Sequence, residues 1–327
     1  MNSETKTVMS FIRLFPWIFS VFTMILGTSV VSGQDFPAKT VRIVTGGAGG
    51  SIDFMARVIG QGISGALGQP VVVDNRASVV VAAEFVAKAP PDGHTLLAYG
   101  NPFWISPLLH KSSYDPVRDF SPITWVGTTP NIIVTHPSLP VRTIKELIVL
   151  AKAKPNKLNY AASGIGGAGH LGAELFKHMA GVRIVHINYK SSADAINNVM
   201  GGYVPVMFAT GAAVAPHLRS GRLRSLAVTT AQPSPLFPGM PTVAAELPGY
   251  EAALIIGIFT AAKTPAGVVT RLNQEIVRLL RTADTKEKFF NSGSEAVGST
   301  PEQLATTVIS EIDRLGKVIR DAGIRGE

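Results

Sequence analysis

The stretch Val41-Arg-Ile-Val-Thr45-Gly-Gly-Ala-Gly-Gly50-Ser51 decides how this chain folds. Its first five residues are mostly β-branched, which predicts a short buried strand. Over residues 53–67 the apolar residues recur with helical spacing, which predicts an α-helix. The glycines between strand and helix allow a tight turn and let the backbone lie close to a bound molecule. This order of elements is the first half of a β-α-β unit.

The same alternation continues outward from this stretch. The next apolar runs predict strands at residues 71–74 and 95–99 with a helix at 80–88 between them, and hence a parallel sheet with helices on its faces. Thr143 followed by Glu146 has the spacing of a helix capping box and marks where the alternation restarts. A second α/β unit is predicted from helices at 143–153, 169–180 and 193–200 and from strands at 157–161, 184–187, 204–208 and 223–229.

The last third of the chain holds one predicted strand, 254–260, and two predicted helices, 265–282 and 301–322. This is too little for a third domain, so we expect it to fold back onto the first α/β unit. A chain that visits one lobe, then another, then the first again is the arrangement of hinged binding proteins, which hold a ligand between the lobes. The predicted organisation is a signal segment at 1–33, a first lobe at 34–133 plus 250–327, and a second lobe at 134–249.

Composition limits the class of protein. The 327 residues are 46% hydrophobic and only 16% charged, which excludes a disordered chain and predicts a large core. There is no cysteine, so disulfides, thiol catalysis and cysteine-ligated zinc are excluded. The net charge of +8 comes from dispersed basic residues, so it favours small anions as partners and not a nucleic acid.

The first 33 residues have the pattern of an export signal. Lys6 and Arg13 give a basic start, an apolar run follows at 14–31, and small residues precede Gln34. We expect cleavage near Gly33-Gln34 and a mature protein in the periplasm. The alternative is a single membrane anchor, which Pro16 and the polar residues of the run disfavour.

Two glycine-rich loops are the candidate binding elements. Each runs from a predicted strand into a predicted helix and exposes backbone N–H groups at the positive end of a helix dipole, which suits an anion. A tight turn that binds nothing is the alternative for either loop alone. A pair of such loops, one in each lobe, predicts backbone donors on both sides of a cleft. The candidate residues are Gly47, Ala48, Gly49, Gly50, Ser51 and Asp53 in the first loop and Ser163, Gly164, Ile165, Gly166, Gly167 and His170 in the second.

Catalytic interpretations of these loops find little support. A P-loop needs a lysine that the first loop lacks, and a dinucleotide fingerprint starting at Gly47 would have Ile52 in place of its third glycine. Asp74 ends the second strand where a ribose-binding acid would lie, so an NAD-linked α/β enzyme remains an alternative. There is no G-x-S-x-G elbow and no evident acid–base pair, so we predict neither a catalytic residue nor a cofactor.

A row of polar residues on one predicted helix could suggest a metal ion. His170, Glu174 and His178 follow one another at intervals of four residues and so share one helix face. The H-E-x-x-H motif is absent and no further ligand is evident. We therefore expect this row to lie at the surface or to face the hinge, and we predict no metal site.

Ordered motifs along nearly the whole mature chain resemble one family. They lie at residues 36–44, 67–76, 89–97, 170–177, 186–190, 221–229, 241–243 and 248–250. In this order they are similar to the tripartite tricarboxylate transporter receptors, also called Bug proteins. The resemblance implies a type II periplasmic binding protein fold, in which two α/β lobes with mixed parallel sheets are joined by a hinge. It also implies a monomer that holds a small carboxylate partly through ordered water and passes it to membrane permease subunits; a sensory receptor without transport is the alternative.

The chain departs from the family pattern around the expected site. The first loop reads Gly47-Ala-Gly-Gly50 without the family's prolines, and 77–81 reads Ala-Ser-Val-Val-Val where the family usually has Pro-Gly-Ala-Gly-Gly. Ala209 replaces an aspartate, and Ile255 replaces a frequent tryptophan. Besides the two loops, the expected walls of the cleft are Gly100, Asn101 and Phe103 in the first lobe and Tyr189, Lys190, Ser191 and Ala209 in the second.

Overall fold

Two mixed β-sheets form the framework of the protein. The computed structural model describes residues 36–48, 50–76, 78–163, 166–189, 191–321 and 323–324; the predicted signal segment lies outside these ranges. The strands are β1 (Val41–Thr45), β2 (Val71–Asn75), β3 (Thr95–Gly100), β4 (Phe120–Thr129), β5 (Asn131–Thr135), β6 (Asn159–Ser163), β7 (Val185–Tyr189), β8 (Val206–Thr210), β9 (Arg224–Val228), β10 (Leu254–Ala261) and β11 (Glu295–Ala296).

The helices connect successive strands and cover the sheets. They are α1 (Ser51–Leu67), α2 (Val79–Ala87), α3 (Asn101–Leu109), α4 (Ile144–Ala153), α5 (Ala168–Ala180), α6 (Ser192–Met200), α7 (Gly211–Arg219), α8 (Ala266–Leu280), α9 (Ala283–Asn291) and α10 (Pro301–Asp321). Within the ranges that the structure describes, no helix combines the length and the apolar character that crossing a membrane requires.

The first sheet has the strand order β11-β4-β10-β3-β1-β2. β1 pairs in parallel with β2 and β3, whereas β10 runs antiparallel between β3 and β4. All eight residues of β10 are buried, as expected for a central strand covered on both faces. A late segment of the chain thus completes a sheet that the first hundred residues begin.

The second sheet has the strand order β7-β6-β8-β5-β9. β6 pairs in parallel with β7 and β8, and β5 runs antiparallel to β8 and β9. Two apolar clusters lie on its strands, one built around Phe176 and Phe208 and the other around Met207 and Val214. Every strand of this sheet comes from residues 131–228.

The chain crosses between the two sheets twice, and the crossings lie side by side. Only Pro130 separates β4 from β5. On the return, Thr229 N donates to Asn131 O at 2.9 Å, and Asn131 N donates to Thr229 Oγ1 at 3.1 Å. Ala252 O accepts from Asn131 Nδ2 at 3.0 Å, and Ala252 N donates to Thr229 O at 2.9 Å. Buried backbone polar groups at a strand-to-strand link need such partners, and here the two crossings supply them to each other.

The α/β fold with two mixed sheets confirms the predicted fold class. The sequence pattern missed α3, α7 and α9 and the strands β4, β5 and β11. Pro102 and Pro107 lie within α3, and Pro216 lies within α7, so both helices contain residues that normally interrupt a helical pattern. The predicted helix at 265–282 is shorter, because α8 ends at Leu280 and Thr282 caps α9.

The predicted start of α4 at Thr143 is present, with Thr143 as the N-cap and Glu146 bonded to the preceding residue, which allows a test of the cap's contribution. Thr143 Oγ1 accepts from Glu146 N at 3.1 Å, and Glu146 Oε2 accepts from Arg142 N. Thr143→Ala should lower the free energy of unfolding by about 1 kcal/mol, because the first turn loses its acceptor. Urea denaturation checks this. Lys145→Ala, at an exposed position of the same helix, is the control and should change little; equal losses in both variants would contradict the capping role.

Candidate functional site

Six helices begin where parallel strands end. In the first sheet β1, β2 and β3 lead into α1, α2 and α3; in the second β6, β7 and β8 lead into α5, α6 and α7. Neighbouring parallel strands place their carboxyl ends on one edge of a sheet, so each edge gathers three helix amino-termini. The first N–H groups of a helix have no partner within it and carry the positive end of the dipole. Each edge therefore offers backbone donors to an anion.

The first glycine loop is open on its outer side. Gly50 is the N-cap of α1 in an extended conformation, and the first helical bond runs from Phe54 N to Gly50 O at 3.0 Å. A Cβ built on Gly47 or on Gly50 would meet no atom within 4 Å. A Cβ on Gly46 would lie 3.2 Å from the hydroxyl oxygen of Tyr99, so this glycine lets β3 pack under the loop. The predicted contact Gly49 lies outside the described residues.

A partly buried polar network holds this loop against β2. Asn75 Nδ2 donates to Gly46 O and to Asp53 Oδ1, both at 2.7 Å. Arg57 Nε donates to Asp53 Oδ2 at 3.1 Å, and its NH2 donates to Asn75 Oδ1 at 2.8 Å. Asp53 is only 5% exposed, and a buried carboxylate left without such partners would be strongly destabilising. The sequence pattern singled out Asp53 but not Asn75, whose position at the end of a parallel strand was the available signal.

The second glycine loop is fixed from inside its own lobe. Gly166 has φ +79°, a conformation that favours glycine, and its N–H donates to His170 Nδ1 at 3.2 Å. This donor is therefore used within the protein. A Cβ on Gly169 would lie 2.3 Å from Phe208 O, so α5 can approach β8 only with glycine there. The predicted contacts Gly164 and Ile165 lie outside the described residues, whereas Gly167 is the extended N-cap of α5.

His170, Glu174 and His178 were expected at the surface or facing the hinge, and the surface position is wrong for two of them. His170 is 5% exposed and Glu174 is 6% exposed. Their helix face packs onto β6, where the fully buried Tyr160 donates from its hydroxyl to Glu174 Oε1 at 2.6 Å. Lys177 Nζ donates to both oxygens of Glu174 at 2.6 and 2.8 Å. One helical turn further on, His178 has left the interface and is exposed.

His186 completes this buried cluster from β7. Its ring lies 4.4 Å from that of His170 and stacks on Tyr160 with centroids 4.9 Å apart. Burial lowers the pKa of both histidines, that of His170 from 6.5 to about 4. Burial also raises the pKa of the Tyr160 hydroxyl. Both rings are therefore neutral near pH 7, which leaves Nδ1 of His170 free to accept the Gly166 N–H. Among the described residues, no group of three acidic, histidine or cysteine side chains could hold a metal ion.

The predicted first-lobe wall is used mainly for packing. Gly100 is the N-cap of α3. The next side chain, Asn101, donates from Nδ2 to Glu311 Oε2 at 2.8 Å and accepts from Ile255 N at 2.7 Å. The ring of Phe103 is fully buried, with the rings of Phe120 and Phe259 at centroid distances of 4.7 and 5.0 Å. These side chains hold α3 in place; they do not lie open to a cleft.

The predicted second-lobe wall is also partly engaged. Ser191 Oγ accepts from Asp194 N at 3.1 Å and donates to Asp194 Oδ2 at 2.7 Å, which makes it the N-cap of α6. Ala209 is 4% exposed within β8. Tyr189 is half-buried, and burial raises its pKa. Lys190 lies outside the described residues.

Asp74 does not have the free carboxylate that an NAD-linked enzyme would use on a ribose. Arg76 NH2 contacts Asp74 Oδ2 at 2.9 Å, and Arg42 NH1 contacts the same oxygen at 3.3 Å. The bond from Arg76 is the main reason that the pKa of Asp74 lies below its usual value. The carboxylate of Asp74 therefore binds the two arginines of its own protein.

Two sheets joined by a double crossing, each with helix amino-termini gathered at one edge, are the framework of a two-lobed solute-binding receptor. The sequence model described as "Tripartite tricarboxylate transporter family receptor" matches residues 55–324. Protein BugT of Bordetella pertussis is 33% identical over 317 residues, which cover 94% of this chain and 97% of BugT. The chain belongs to the tripartite tricarboxylate transporter receptor family, whose members include the Bug proteins, and this confirms the resemblance noted in its motifs.

Solved structures agree with this assignment. R. palustris Rpa4515 with adipate is 35% identical with a TM-score of 0.79, covering 90% of this chain and 100% of that one. MatC from Rhodopseudomonas palustris with bound malate is 28% identical with a TM-score of 0.74, covering 87% and 100%. The periplasmic binding protein BugD is 29% identical with a TM-score of 0.75, covering 89% and 100%.

The buried histidines predict acid sensitivity. Because the pKa of His170 is lower in the folded protein than in the unfolded chain, the unfolded chain binds more protons between pH 6.5 and about 4. The contribution of His170 to the free energy of unfolding is therefore fully present above about pH 6.5. It is lost as the pH falls through this window, and the loss is on the order of 3 kcal/mol. Urea denaturation of wild type and His170→Asn at about pH 7 and about pH 5 measures this. The variant should lose less stability on acidification.

His178→Asn is the matched control, since His178 is on the same helix but exposed. It should keep the pH dependence of the wild type. If His170→Asn also kept the full pH dependence, His170 would not be the titrating group.

Proposed function

We propose that the protein captures a small carboxylate between its two lobes on the outer side of the cytoplasmic membrane and passes it to membrane permease subunits. The observation that carries this proposal is the gathering of three helix amino-termini at one edge of each sheet. Backbone donors at Gly47, Gly50 and Ser51 in the first lobe, and at Gly167 and Ala168 in the second, would share the ligand's charge. The adipate and malate bound by the related proteins support a carboxylate as the ligand.

The further parts of the proposal concern organisation and location. The first lobe would comprise 34–133 plus 250–327 and the second 134–249, and the protein would act as a monomer without catalysis. The mature protein, after cleavage near Gly33-Gln34, would lie in the periplasm. Lys190 would add one cation to the second lobe's edge, next to the Ser191 cap of α6.

A thermal-shift screen of mono-, di- and tricarboxylates tests this function. A ligand at about 100 times its dissociation constant should raise the free energy of unfolding by about 2.7 kcal/mol, because it binds only the folded state. The matching neutral amides are the controls and should give no shift. Cooperative unfolding without a shift for any carboxylate would contradict the proposal.

Gly47→Val tests whether the first loop contacts the ligand. The added side chain would meet no protein atom within 4 Å of its Cβ, so the fold should be retained. The branched side chain should block close approach to the backbone donors and weaken binding by at least about tenfold, roughly the loss of one charge-assisted hydrogen bond. Isothermal titration with the acid found in the screen measures the change.

Gly267→Val is the matched control. Gly267 is exposed, as Gly47 is, and lies in the first turn of α8. A Cβ there would also meet no atom within 4 Å. It should bind like the wild type. If Gly47→Val also bound like the wild type, the first loop would be only a turn.

A further inference from the structure

The first turns of the six helices carry very little positive charge. These turns are residues 51–53, 79–81, 101–103, 168–170, 192–194 and 211–213. None of them contains lysine or arginine, and two contain an aspartate, Asp53 and Asp194. Arg57 and Arg76 are the nearest cations in sequence to the first lobe's turns, and each is paired with a carboxylate. Arg76 also lies 4.4 Å over the ring of Phe85. Backbone donors, with Lys190 as the one proposed cation, can balance one carboxylate here, whereas further anionic groups would lack counter-charges.

An apolar strip flanks these donors in the first lobe. Ile52, Val79, Val80 and Leu109 are each half-buried and pack against one buried aromatic cluster. Ile52 lies in the first turn of α1, and Val79 and Val80 lie in that of α2. Asn75, the last residue of β2, bonds both Gly46 and Asp53 and so ties the end of β2 to the first glycine loop. Val79 and Val80 begin the helix that follows this strand end.

The strip continues to the second lobe. The Cδ1 atom of Leu109 lies 2.5 Å from the position that a Cβ on Gly166 would take. On that side the first turns of α5, α6 and α7 contain Ala168, Ala193 and Ala212 beside glycine and serine. Their other polar side chains are engaged within the protein, since His170 accepts from Gly166 N and Asp194 accepts from Ser191. A ligand held by both edges would thus have methyl and branched aliphatic groups next to its body and few polar side chains to satisfy hydroxyls.

We propose that the site selects a carboxylate with an apolar chain or ring over a polycarboxylate of the same size. This inference rests on the proposed function, since it names the class of acid that the same site takes. An apolar chain would bury its surface against Val79, Val80 and Leu109, whereas additional carboxylates would be desolvated there without partners.

Hexanoate and propane-1,2,3-tricarboxylate test the inference, because both acids have six carbons. Isothermal titration should show hexanoate binding at least about tenfold more tightly, the discrimination typical of a few buried methylenes. Tighter binding of the tricarboxylate would overturn the inference and leave the proposed function intact. Absence of binding by every carboxylate would instead remove the proposed function, and the inference with it.

Val80→Thr tests whether the side chain of Val80 contacts the ligand or only packs against the core. The substitution nearly keeps the shape of the side chain and replaces one methyl group by a hydroxyl. It should weaken hexanoate several-fold and leave acetate unchanged, since acetate lacks the chain that reaches the strip. Val72→Thr, at a 44% exposed position of β2, is the control and should change neither affinity. Equal weakening of both acids by Val80→Thr, or none, would overturn the assignment of the strip.

Discussion

The double crossing between the sheets is the constraint on which the rest of the structure depends. Asn131 and Thr229 are almost completely buried, and their backbone groups, the Thr229 hydroxyl and the side-chain nitrogen of Asn131 bond to one another and to Ala252. An unpaired polar group at this depth costs on the order of 1–3 kcal/mol, so the pairing strongly favours keeping both crossings together. Because the crossings are adjacent, any relative movement of the two sheets must turn about this point.

The two glycine loops reach a defined geometry by different means. The first is held by charge, through Asp53, Arg57 and Asn75. The second is held by a neutral ring, since His170 accepts from Gly166 N and is itself packed against His186. In both loops the side chains serve to position backbone groups. Asn101 and Ser191, two further predicted site residues, likewise bond groups of the protein at the starts of α3 and α6.

Much of the fold could be predicted from the sequence, and much of the site could not. Alternating strand and helix patterns gave the α/β class, and Thr143 with Glu146 marked a helix start, because these signals are local. The pattern failed at α3, where Pro102 and Pro107 obscure a helix stabilised by tertiary packing. It also could not reveal that Glu174 faces Tyr160, or that Asn101 bonds Glu311 across 210 positions, because spacing along a helix does not say which face is covered.

The central position of β10 has a consequence for the order in which the chain can fold. The second sheet takes all its strands from residues 131–228, so its pairing does not require β10. The first sheet cannot join β3 to β4 until Leu254–Ala261 lies between them. Closing that long loop is slow, since distant segments must meet before their contacts form. The second sheet, formed by the middle of the sequence, can therefore fold first. The first sheet, which joins the two ends of the sequence, forms last.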